Sequence, residues 1–104
     1  MPALTTSSRA NKKWMIVIHL DIPGLDSIKT IHFGDPRYED YTMHHNEQRK
    51  LNYLQRHESR EDWNNYEKAG FWSRWLLWNK PTIEESMRDI EKRFGVKIML
   101  LGSM

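Results

Sequence analysis

Cysteine is missing from the 104 residues, which excludes disulfides, thiolate metal sites and a thiol nucleophile. Long apolar runs are missing as well. The closing stretch Ile98–Leu101 falls far short of the roughly 20 residues that a membrane-crossing helix needs. No apolar segment follows Met1, so the expectation is a protein without a secretory leader, at home in a reducing compartment. A charge of one sign is lacking too: 16 basic against 14 acidic residues give +2. Composition therefore shows none of the clear basic excess of a dedicated nucleic-acid binder. Only the start of the chain is one-signed, because Arg9, Lys12 and Lys13 precede the first acidic residue, Asp21. Internal repeats and low-complexity tracts are also absent.

What the chain has in quantity is aromatic surface, concentrated in one place. Three of its five Trp residues and one of its three Phe fall within Gly70–Pro81, GFWSRWLLWNKP. Read as a helix, this stretch puts Phe71, Trp75 and Trp78 on one face with Trp72 beside them. A chain of about 100 residues is one domain. With 38% apolar and 29% charged residues, its core is small. Four large rings on more than one helix face exceed what such a body is expected to cover, and large rings anchor many interfaces. Trp75 is expected inside, with Trp72 or Trp78 open to a partner.

Periodicity supplies the rest. Lys13–Leu20 (KWMIVIHL) reads as a strand with Trp14, Ile16 and Ile18 on one face, and Ser27–Phe33 (SIKTIHF) as a second. Pro23-Gly24 marks a turn in a connection expected to be looser than a tight hairpin. Asp35-Pro36 has the chemistry of a turn or helix start. Asn46 can cap a helix running to about Arg60, residues 63–70 read as a loop, and the aromatic helix ends near Asn79. Pro81, then Thr82-x-x-Glu85, opens a helix carrying Ile83, Met87, Ile90 and Phe94, which Gly95 closes. Val96–Leu101 is a third strand. The expectation is an α+β fold in the order β-β-α-α-α-β, with a three-stranded sheet. Residues 13–104 form the domain, and residues 1–12, with little apolar content, form a flexible arm.

Few constellations carry chemistry. His44-His45 with His57 is the nearest approach to a metal set, but adjacent histidines on an extended chain point apart and no H-E-x-x-H spacing occurs. No metal and no cofactor is expected. Glu58–Asp62 places carboxylates near His57, yet its alternating charges suit a solvated helix end. No catalytic residue is assigned and the chain is read as a non-enzyme. Arg49, Lys50, Arg56 and Arg60 stripe the middle helix around Tyr53, a pattern that could hold phosphates and stack bases. Glu47, Glu58, Glu61 and Asp62 balance these four cations one for one.

Residues 31–96 resemble a small family encoded by large double-stranded DNA viruses of eukaryotes. The likeness rests on His32-Phe33-Gly34, Arg37-Tyr38, Asp40-Tyr41-Thr42, Arg49-Lys50, Arg56-His57, Glu61-Asp62-Trp63, the Gly70–Pro81 run and Lys92-Arg93-Phe94. The resemblance implies no enzymatic activity. It implies a structural protein of the virion, made in the host cytoplasm and built in as a minor capsid component that binds other capsid or virion proteins. Trp72, Arg74 and Trp78, with Arg9, Lys12 and Lys13 of the arm, are the expected partner-binding residues. The alternative is a virion-associated nucleic-acid binder using Arg49, Lys50, Tyr53, Arg56 and Arg60.

Overall fold

The computed structural model describes residues 1–101. Its elements are β1 (Ala3–Thr6), β2 (Trp14–Ile22), β3 (Leu25–Phe33), α1 (Tyr41–His44), α2 (Glu47–His57), α3 (Ala69–Trp72), α4 (Ile83–Phe94) and β4 (Met99–Leu100). A π-helical stretch, Ser73–Leu77, continues α3 without a break. The α+β class stands, with four strands in the order β3-β2-β1-β4 in place of three.

The added strand is β1, which corrects the reading of residues 1–12 as a separate arm. Ala3–Thr6 pairs antiparallel with β2 and parallel with β4, so it lies inside the sheet. Leu4 is fully buried between Ile16 and Leu100 in the register. One apolar side chain, two strand partners and a solvated outer side suffice to order this short segment. The same placement removes the arm as a strap across a neighbouring subunit. Arg9 and Lys12 lie in the loop after β1, where Lys12 N–H donates to Arg9 O at 3.2 Å.

The β2–β3 connection is tight, against the expected looser one. Pairing continues to Ile22 and Leu25, leaving Pro23-Gly24 as a two-residue turn. Gly24 has φ +81°, the left-handed backbone that the position after proline requires in a type II turn. Alternation along the strands is as expected: Ile16, Ile18, Ile31 and Phe33 face the core.

Three helices begin where a side chain satisfies a free amide, while α3 starts at Lys68 without one. Asp40 accepts from Thr42 N–H at α1, Asn46 from Arg49 N–H at α2, and Thr82 from Glu85 N–H at α4. Gly95 closes α4 at φ +71°. Asp35-Pro36 makes a turn, in which Tyr38 N–H donates to Asp35 O at 3.1 Å.

The aromatic segment is the centre of the core. Phe71, Trp72, Trp75, Leu76 and Leu77 are all buried, as befits a helix that is apolar all round. Trp72 Nε1 donates to Tyr66 O at 2.6 Å and Trp75 Nε1 to Trp63 O at 2.8 Å. The loop at 63–68 thus covers what a two-layer body would leave open. Phe94 of α4 meets Phe71 and Trp75 edge to face, at 5.0 and 5.3 Å. The expectation for Trp75 holds. Trp72 is fully buried and cannot bind a partner, while Trp78 remains half-buried.

Candidate functional site: a charged groove and an open sheet face

Below the π-helical stretch, the rings of Trp78, Tyr53 and His57 form a column. Tyr53 lies parallel to Trp78 at 4.3 Å and stacks on His57 at 4.2 Å. His44 closes the far side of Trp78 at 5.4 Å. The column joins α2 to the aromatic helix and forms part of a groove of about 430 Å³. The opposite wall comes from the β1–β2 loop and the segment after β3, through Lys12, Asp35, Tyr38 and Glu39.

Four acidic side chains line the groove; three are paired with Lys or Arg, and Glu61 lies beside an imidazole. Lys13 Nζ bonds Asp40 Oδ2 at 2.7 Å, Arg37 grips Asp35 at 2.8 and 3.1 Å, and Arg49 reaches Glu39 at 3.1 Å. His57 Nδ1 lies 2.7 Å from Glu61 Oε1, an approach of ring to carboxylate without the alignment of a directed hydrogen bond. The Arg37 hydrogen bonds hold the Asp35 carboxyl down at about 2. Among the described residues, Lys12 and Arg56 line the groove with no carboxylate partner.

The expected nucleic-acid stripe is dispersed by these pairings. Tyr53 is buried with a ring on each face, so no base can stack on it, and burial pushes its hydroxyl pKa up. Lys50 Nζ donates to Asn79 O at 2.6 Å and sits 4.8 Å from the Tyr41 ring, with its pKa lowered by burial. Arg49 is occupied by Glu39, while Arg56 and Arg60 stay exposed. Of the expected partner-binding residues, Arg74 turns inward. Its Nη1 donates to Trp78 O at 2.7 Å and its guanidinium covers the Trp75 ring at 4.2 Å. Lys50 and Arg74 therefore satisfy carbonyls where the aromatic helix ends. The groove unites Lys12, Lys13, Arg56 and Trp78, residues taken from both expected sets.

A second feature lay outside every expectation. All sheet residues in the core come from one face. On the other, Ala3, Thr5, Met15, Val17, His19, Ile28, Thr30, His32 and Met99 point outward by register, and none of them is buried. None carries a fixed charge, in a chain that is 29% charged. Ile28 is 60% exposed and Met99 46%. Ser7 Oγ lies 2.7 Å from His32 Nδ1 at one corner. Packing around that ring, then Arg9 and Lys12, lowers the imidazole pKa. Period-2 reading of KWMIVIHL and SIKTIHF carries this signal, since beyond Lys13 every outward residue of both segments is uncharged.

No helix of the described residues is long and apolar enough to cross a membrane. No curated protein and no solved structure matches the chain. A family model does match, over residues 3–57, from the first residue of β1 to the last of α2. The chain thus belongs to the family described as "Family of unknown function (DUF5754)".

Proposed function

We propose that this protein is a non-enzymatic structural component of a large DNA virus particle, a minor capsid protein that docks on neighbouring proteins through the open face of its sheet. The stretch of the outward face from Met15 to His19 and from Ile28 to His32, uncharged among the described side chains, carries the reading. An antiparallel sheet with one solvated side ordinarily alternates apolar-in with polar-out, and depletion of charge is the compositional mark of an interface core. Resemblance of residues 31–96 to a viral family supplies the context of a particle.

The size of the face bears on the kind of partner. Strands of four, nine, nine and two residues present on the order of 400 Å², well under the roughly 800 Å² per partner of a free-standing complex. Such a patch suits a subunit held from several sides in a shell. Docking there replaces the expected route through Trp72, Arg74 and the first twelve residues.

Because the chain has no cysteine, single-cysteine crosslinking gives a clean test. Thr30→Cys on the outward face and Glu84→Cys on exposed α4, each carrying a thiol-directed photocrosslinker, are introduced into assembling particles. The expected result is a discrete adduct with one particle protein from position 30 and little from position 84. Equal adducts from both positions, or absence of the protein from purified particles, would sink the proposal.

A further inference from the structure

We infer that the free edge of β4 pairs antiparallel with the β4 of a second copy of this chain, about a two-fold axis at Leu100. The contact lies at the side of the sheet, so the inference does not rest on docking through the outward face.

Hydrogen-bond direction in β4 comes first. Met99 N–H donates to Pro2 O and Leu101 N–H to Leu4 O, both at 2.8 Å. Backbone groups of successive strand residues point to opposite sides, so the N–H and C=O of Leu100 turn away from β1. Neither makes a backbone hydrogen bond among the described residues. The order β3-β2-β1-β4 puts this strand at the end of the sheet, and the Leu100 side chain is exposed. Such an edge is a template for another strand. In an antiparallel pair centred here, the two Leu100 residues exchange both of their free hydrogen bonds.

Charge selects a second copy as the occupant. Beside β4 runs a groove of about 260 Å³, with Met87, Ile98 and Leu100 as its apolar lining. Its rim carries Glu84, Arg88 and Glu91 of α4 and Lys97 after it, all exposed. Among the described residues none of the four has an ion-pair partner. Two charges of each sign make a rim that can complement itself. Glu84 at the start of α4 and Leu100 in β4 share the groove, so the chain returns alongside the helix. From Phe94 back to Ser86 the helix travels about 12 Å, and from Val96 to Leu100 the strand travels about 13 Å. Leu100 is therefore level with Ser86, between Glu84 and Arg88. A two-fold axis at that level sets Glu84 of each copy against Arg88 of the other, the isologous arrangement of a closed dimer. The contact is smaller than the roughly 800 Å² per partner of a standard complex, so Kd is expected on the order of 100 µM.

Sedimentation equilibrium of the full chain from about 10 µM to about 1 mM tests the inference. A monomer–dimer equilibrium is expected. Leu100→Pro deletes an N–H that faces away from β1 and should leave a monomer throughout. Glu84→Arg and Arg88→Glu should each weaken the dimer about tenfold, and the double swap should restore it, because both partners of each pair are then reversed. Thr30→Lys on the outward face should leave the equilibrium unchanged. Melting curves identify any variant that loses the fold, and the charge swaps decide the matter if Leu100→Pro is one of them. A chain still monomeric at about 1 mM would overturn the inference, as would a dimer that survives in folded Leu100→Pro. Single swaps without effect, or a double swap that fails to rescue, would overturn it too. Loss of the dimer in Thr30→Lys alone would move self-association to the outward face and rule out the edge.

Discussion

The rings of Tyr53 and Trp78 lie within 5° of parallel with centroids 4.3 Å apart, and this contact joins α2 to the aromatic helix. Helix α2 buries little else, since Tyr53 is its one buried residue. The stacked pair is thus the main buried contact that seats it, with Lys50 on Asn79 O and Tyr41 on Glu47 as further ties.

Tyr53→Ala should consequently cost about 3–5 kcal/mol, the usual loss for a large buried ring. A double-mutant cycle with Trp78→Ala is expected to return a coupling of about 0.5–1.5 kcal/mol for the stacked rings. Chemical denaturation of the four proteins measures it. Strict additivity would mean that the two rings contribute independently.

Gly70 should respond to alanine in opposite ways depending on Glu61. An added Cβ there would collide with the Glu61 carboxylate, which is only 21% exposed and sits beside His57. In an unobstructed helix Gly→Ala stabilises by about 1 kcal/mol. Gly70→Ala alone should lower the melting temperature, whereas in a Glu61→Ala background it should raise it. A rise in both backgrounds would show that Glu61 swings away freely.

Amide exchange should find β1 as strongly protected as β2. Ala3–Thr6 is paired with β2 along its length and Ala3 and Leu4 with β4 as well, and opening it exposes Leu4, which is fully buried. Leu4→Ala is expected to cost about 2–5 kcal/mol. Exchange of residues 3–6 at the rate of a free peptide would contradict the strand.

The Asp35 carboxyl should titrate at about 2, as read by its carbon chemical shift, and Arg37→Ala should return it toward an ordinary carboxylate value. A carboxyl depressed in the folded state stabilises fully above its unfolded value near 4. That contribution fades as pH falls through the range down to about 2. Arg37→Ala should therefore flatten the acid limb by lowering stability above about pH 4 while leaving it unchanged below about pH 2, and the loss should be small because the pair is exposed.

Sequence periodicity exposed β2, β3 and α4 because each carries a strong signal over many residues. It could not expose β1, whose sequence ALTT holds one buried side chain and whose parallel partner, Met99–Leu100, lies at the far end of the chain. The aromatic segment was visible as a helix, but not its wide turn, in which Trp78 N–H reaches back to Ser73 O. Covering Trp72 also needed the loop carbonyl of Tyr66, a partner that no spacing rule identifies. The groove was legible only in fragments. Lys12 and Arg56 stood in separate expected sets because nothing local in the sequence brings residues so far apart together.

The parallel pairing of β1 with β4 has a kinetic corollary. The β2–β3 hairpin closes over two residues, a local event on the microsecond scale. Joining Ala3 to Met99 requires nearly the whole chain to be in place, so its loop-closure entropy must be met before the contact returns anything. The sheet should thus grow from its hairpin side and finish at its short edge. Until β4 arrives, β1 presents an unpaired edge, and any species stalled at that stage would be open to strand exchange with another copy.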